Sequence, residues 1–538
     1  MSKLGSLLKA TMSGGLEVFS YHGKTEKSRR IMPFLLASLV GILMLFSSSA
    51  MVTALREDGA EASSILSLYT IITSVIIVTE GVYKSGDLLF KPRDNDTLLA
   101  MPIKKSTIVT ARIIKLYVFE LLYCMIFLLP AIIAYMVNCE VEPYYYLVAF
   151  TMLVLVPVIP IAISCVIGLI SSAISARFKK RTLPQVIISF FFLFVFAVII
   201  LAVNMMPDNS GQAMIMASNK ITEYYYPAAI FVRLVTSFDI WQYLLFVGVN
   251  LAIALVVVLL ISRFYFRIIT RLSTIKQNSG TNVKYSFTKH GQVLAMVKKE
   301  FNRYFSTPVL LMNTAIGLVI FVVAAGAICI KYDDIVTMLM SSVEEFPLTA
   351  EEVYSYLPSV AFAMVAFSSL MTFITTTMIS LEGKAFNLLK SLPISGKRVI
   401  MTKVLAAMLL IVPVTMIGSV VMFIRFRFEI IDAILVLIGV IVLPLVTELI
   451  GILIDLKYAQ FNAESDTVVV KQSAGVMVST FLGLGMVLFT ISLTFAAVFV
   501  VGQTIGLALI DAIYVLVATF LYSVIATWGE EKYMKLVA

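Results

Sequence analysis

The chain has 538 residues, 60% of them hydrophobic and only 14% charged, with a mean hydropathy of +0.99. A soluble globule carries about 25% charged residues, so these values exclude one and indicate an integral membrane protein. The net charge of +9 is explained by membrane topology and implies no nucleic-acid partner.

Crossing roughly 30 Å of hydrocarbon takes about 20 apolar residues. The first apolar run begins near Ile31 and is too long for a signal-peptide core, so it is expected to remain as the first span. With it there are twelve candidate spans in chain order, near 31–55, 64–83, 108–137, 144–176, 184–206, 240–266, 308–330, 358–381, 400–424, 430–455, 471–501 and 503–528. The fold expected is all-α. A basic amphipathic segment, 1–30, precedes a first six-span half, 31–266. A basic linker with a second amphipathic segment, 267–307, leads to a second half, 308–528, and a tail, 529–538. Six spans per half make the two halves a parallel repeat, pseudo-symmetric about the membrane normal.

Cytoplasmic loops keep the excess of Lys and Arg. Of the 41 such residues, 35 fall on one side, leaving only Arg56, Lys220, Arg233, Lys331, Arg425 and Arg427 on the other. Both termini are therefore expected in the cytosol. The outer segment 331–357 is acidic, with Asp333, Asp334, Glu344, Glu345, Glu351 and Glu352 against Lys331. It either attracts a cationic ligand or merely reflects the exclusion of positive charge.

Two cytosolic loops repeat. In "DNDTLLAMPIKKS" and "FNLLKSLPISGKRV", an offset of 291 matches Leu98, Pro102 and Ile103 to Leu389, Pro393 and Ile394. Met101/Leu392, Ile108/Val399, Val109/Ile400 and Arg112/Lys403 are conservative pairs, and Glu80-Gly81 and Glu382-Gly383 each close the second span of their half. Proline tends to end or restart a helix, so each loop reads as a short helix halted before the next span. An apolar face there either packs on the protein's own inner surface or docks a soluble partner, and its duplication favours a partner with two equivalent sites. The candidate docking residues are Leu98, Leu99, Met101, Pro102 and Ile103 in the first copy and Leu388, Leu389, Leu392, Pro393 and Ile394 in the second.

Carboxylates are costly in hydrocarbon and usually face a bundle interior. Glu120, Glu448 and Asp511 are the candidates, either as polar contacts in a substrate path or as partners of polar neighbours at helix packing surfaces. Cys124, Cys139, Cys165 and Cys329 show no disulfide or metal spacing. The two histidines, His22 and His290, lie in cytosolic segments, and no metal site is expected. No GxxxxGK[ST] phosphate loop occurs, so this chain is expected to have no catalytic residue and to handle no ATP itself.

The two repeated loops, together with "IDLKYAQFNAESDTVVVKQS" at Ile454 to Ser473, resemble the permease subunits of bacterial ATP-binding-cassette transporters whose ATPase is a separate chain. The resemblance implies a type V ABC exporter fold of the ABCG kind, with the amphipathic segments as elbow helices and the repeated loops as coupling elements. It further implies two copies of a separate ATPase as partners, with ATP and Mg on them, and export of an amphipathic peptide, lipid or drug across the cytoplasmic membrane. The loop at 177–184 is far shorter than that at 456–471, an asymmetry between halves. The alternative is an ion-coupled secondary transporter with six plus six spans.

Overall fold

The computed structural model describes residues 26–57, 61–86, 101–175, 225–278, 291–330, 350–461 and 466–537, with isolated positions between them. Every regular element in these residues is helical, as hydrocarbon demands of any segment that must satisfy its own backbone. Among the described residues, ten helices are long and apolar enough to span a membrane, and a further apolar helix covers Val40–Arg56. Helices thus stand at eleven of the twelve expected places; the twelfth, 184–206, lies outside the described residues.

The chain divides into two compact units between Ser286 and Phe287. The first contains α1 (Glu26–Glu57), α2 (Ser64–Ser85), α3 (Lys105–Tyr123), α4 (Leu129–Asn138), α5 (Tyr144–Leu155), α6 (Val158–Ser175), α7 (Tyr226–Thr236) and α8 (Ile240–Asn278). Its core gathers Leu66, Leu116, Val148, Phe231 and Tyr265. Helices α2 and α6 approach closely because small residues meet: a Cβ on Gly81 would stand 2.5 Å from Ser164 Oγ, and Ser85 Oγ donates to Ser164 O at 3.1 Å. Close approach through small residues is how membrane helices associate.

Prolines reshape two of the expected spans. Pro130 has no N–H for the carbonyl one turn back, and the chain passes from α3 to α4 through a π-turn at Cys124–Leu128. The span expected at 144–176 is two helices, α5 and α6, parted by a turn at Val156-Pro157. The sixth helix expected in this half runs on past 266 to Asn278.

The second unit contains α9 (Gln292–Ser306), α10 (Pro308–Ile330), α11 (Ala350–Met371), α12 (Phe386–Lys390), α13 (Gly396–Phe426), α14 (Ile430–Tyr458), α15 (Asp466–Gln472), α16 (Ala474–Val501), α17 (Gln503–Val524) and α18 (Glu530–Lys535). Helix α14 is its hub, packed against α11, α13, α16 and α17. The span expected at 358–381 is interrupted: α11 stops at Met371, and the chain continues as short 3-10 turns at Thr375–Thr377 and Ser380–Ala385. The run "TFITTTMIS" is β-branched and hydroxyl-rich, which weakens the α-helix and offers the backbone other partners. Those partners come from α14.

Candidate functional site

Glu448 and Asp455 lie seven residues apart on α14, on one buried face. Glu448 accepts the Ile374 N–H at 3.1 Å and the Thr375 N–H at 2.8 Å, while Thr375 Oγ1 donates to Glu448 O at 2.7 Å. Two helical turns on, Asp455 accepts the Ile379 N–H at 2.6 Å, the Ser380 N–H at 3.2 Å and the Ser380 hydroxyl. The two carboxylates thus take up N–H groups freed where α11 breaks, and they fix an irregular segment inside the bundle.

Below this segment the chain turns sharply at Gly383 (φ +52°, ψ −137°), a conformation that disfavours a Cβ. The turn leaves Glu382 buried among cations from two other helices. Lys299 Nζ of α9 lies 2.6 Å from its carboxylate, Arg303 Nη2 of α9 2.7 Å and Lys403 Nζ of α13 2.7 Å. Lys403 also bonds Glu300 at 2.8 Å and Met378 O at 3.1 Å. Burial opposes the charge on Arg303, but the hydrogen bond and charge of Glu382, with Glu300 and Asp466, hold its pKa above the ordinary arginine value. The cluster pins the amphipathic helix α9 and the start of α13 to the loop that follows.

That loop is α12. Phe386 stacks on Phe461 at 4.6 Å between centroids and meets the edge of Tyr533 at 5.2 Å. Leu389, one turn on, is only 9% exposed and belongs to the core. This corrects the expectation from sequence: Leu389 shares the inward face with Phe386 by its i, i+3 spacing and is not available to a partner. Leu388 (71% exposed) and Leu392 (46%) point outward with Pro393, while Ile394 is half-buried against the core. Lys390 clamps the loop by bonding Leu536 O at 3.0 Å and Met534 O.

The first unit carries the same turn. Ile103 N–H bonds Met101 O at 2.7 Å, and Ile394 N–H bonds Leu392 O at 2.7 Å, so Pro102 and Pro393 each centre a tight three-residue turn. The next helices start alike, from Lys104 (φ −63°, ψ 136°) and Ser395 (φ −63°, ψ 143°). Met101 (45%) and Pro102 are exposed and Ile103 is half-buried, matching Leu392, Pro393 and Ile394; Leu98 and Leu99 lie outside the described residues. Arg112, paired by sequence with Lys403, is likewise buried, donating to Leu89 O at 3.2 Å and to Tyr265 OH.

Glu120 is buried against Lys84 at 3.0 Å, and Lys84 also pairs with Glu80 at 3.3 Å. Asp511 is 4% exposed in α17 with neither carboxylate oxygen hydrogen-bonded. Glu351 and Glu352 stand in the first turn of α11, while Asp333, Asp334, Glu344 and Glu345 lie outside the described residues. Asp455 was not anticipated; its signal was the seven-residue spacing from Glu448 on one face of an apolar helix.

A sequence profile for the family described as "Membrane protein of 12 TMs" matches residues 29–524, most of the chain. No curated protein matches it.

Proposed function

The chain belongs to the family of membrane proteins of 12 TMs, and from that premise we propose that it is a transport permease, the membrane subunit of an ATP-binding-cassette exporter. The observation that carries this is the duplicated prolyl turn with an outward apolar face, Met101-Pro102 in one unit and Leu388, Leu392 and Pro393 in the other. Each face suits a pocket on one copy of a separate ATPase, which binds ATP and Mg. The chain itself carries no catalytic group. The lysine and arginine bias supports a cytosolic position for both loops and both termini. The resemblance of the loops supports export of an amphipathic substrate.

The packing around the second loop supports such coupling. Displacement of Leu388 is carried inward by Phe386 on Phe461 and Tyr533, and through Gly383 to Glu382, which grips α9 and α13. Packed interfaces switch between discrete arrangements and do not deform continuously, so a docking event there can tilt the helices above. Purification of the full chain with its ATPase tests the proposal: two ATPase copies per chain support it, and substrate transport that needs no ATPase overturns it.

A second reading, an ion-coupled secondary transporter, is favoured by one observation, the break in α11 between Met371 and Thr375. Interrupted membrane helices are where coupling ions bind in that class. It predicts transport that follows an ion gradient without nucleotide.

A further inference from the structure

A small cavity of about 60 Å³ lies where α11 breaks, bounded by α10, the broken segment, α15 and α16 and open on the side of the exposed residues Asn313 and Thr480. One water needs roughly 10–15 Å³ of such space, so the cavity has room for about four to six waters or one ion with part of its hydration. Organic ligands occupy pockets of about 300 Å³ or more, which excludes an amphipathic substrate here.

The lining offers several oxygen acceptors, and Asn313 adds an amide that can both accept and donate. Ser479 Oγ and Thr480 Oγ1 both donate to Val476 O at 2.8 Å, so their hydroxyl protons are committed and their lone pairs remain. Thr314 Oγ1 donates to Leu310 O at 2.8 Å, so the 2.8 Å bond between Tyr304 and Thr314 has the phenol as donor. Burial pushes that phenol up to about 12, against the pull of the Thr314 hydrogen bond, and keeps it protonated. Thr377 is 2% exposed and its Oγ1 has no hydrogen-bond partner, although it lines the cavity. The C-terminus of α11 ends at Met371 on the same wall, and a helix C-terminus carries partial negative charge. Among the described residues, no lysine or arginine lines the space.

We propose that this cavity is a binding site for a single alkali cation, sodium or potassium, held by the hydroxyl oxygens of Thr377, Ser479 and Thr480 beside the carbonyl end of α11. A neutral oxygen set at a helix break suits a weakly charged ion that sheds its water readily, and the lack of lining carboxylates disfavours a divalent ion. The site rests on the cavity's own geometry, so its test needs neither nucleotide nor transport, and its failure leaves the ATPase proposal standing.

The experiment is equilibrium binding of radioactive sodium to the purified full chain, with potassium and choline as competitors, alongside thermal unfolding in each chloride salt at equal ionic strength. Saturable sodium binding displaced by an alkali ion and not by choline is expected. Thr377→Val and Ser479→Ala should each weaken binding roughly tenfold, the loss of about one hydrogen-bond-sized contact, and Thr377→Ser should retain it. Should Thr377→Val not fold, Ser479→Ala and Thr377→Ser carry the test. Equal melting in all three salts with no saturable binding would mean that the cavity holds water only, and the proposal falls. Binding that survives both Thr377→Val and Ser479→Ala overturns it as well, because the ion would sit elsewhere.

Discussion

Glu382→Gln removes the carboxylate that three cations share and keeps the shape of the side chain. In the native protein, Glu382 and Glu300 together face Lys299, Arg303 and Lys403. The substitution leaves Glu300 alone against all three, and Lys403 and Glu300 are nearly inaccessible to water. Breaking a buried pair in this way costs about 3–5 kcal/mol. Lys299 is 38% exposed at its side chain and can turn to solvent, which places the expected cost near the lower end, about 3 kcal/mol. In detergent this should lower the apparent melting temperature by roughly 6 °C, taking the second unit, Phe287–Ala538, as melting on its own. Adding Lys403→Met to Glu382→Gln should recover about 1–3 kcal/mol relative to the sum of the single effects, because the two groups are directly coupled. A loss under about 1 kcal/mol for Glu382→Gln, or strict additivity in the double variant, would refute the idea that this cluster holds α9 and α13 to the loop.

Glu448→Gln keeps one acceptor but turns an amide N–H toward the Ile374 or Thr375 N–H; it should cost about 1–3 kcal/mol and speed hydrogen exchange at 372–380, and unchanged exchange there would contradict the role given to Glu448. Gly81→Val drives a side chain into Ser164 of α6 and should cost about 1–3 kcal/mol by overpacking, read as lower thermal stability of the purified chain. Leu389→Ala, in the core, should cost about 2–5 kcal/mol, whereas Leu388→Ala should leave the melting temperature within about 0.5 kcal/mol equivalent of native.

Much of the helix pattern could be read directly, because about 20 apolar residues in a row have few other fates in a membrane protein. The prolyl turns were legible for a related reason: proline limits both itself and its neighbour, and Pro102-Ile103 and Pro393-Ile394 give matching turns and helix starts. The break after Met371 was not legible, since threonine and isoleucine keep the local hydropathy high while Glu448 and Asp455, over 70 residues away, supply the competing hydrogen bonds. Leu389 misled for a geometric reason: Leu388, Leu389 and Leu392 are equally apolar, and only the stacking of Phe386 on Phe461 decides which of them turns inward. In the sequence Glu382 stands out only as half of a repeated Glu-Gly pair; its three cations come from positions 79 to 83 residues earlier and 21 later.

The most direct test of the central claim is recovery of the proposed ATPase partner by the chain in which Leu388 and Leu392 are both changed to Asp, compared with native at equal amounts of folded membrane protein. Both side chains are exposed, so folding should be unaffected. Burying an aliphatic side chain at an interface contributes roughly 1.5–3 kcal/mol; the account therefore predicts that recovery through this loop falls at least tenfold, with a further fall when Met101→Asp is added in the other unit. Native recovery from the triple variant would contradict the assignment of these turns as docking faces.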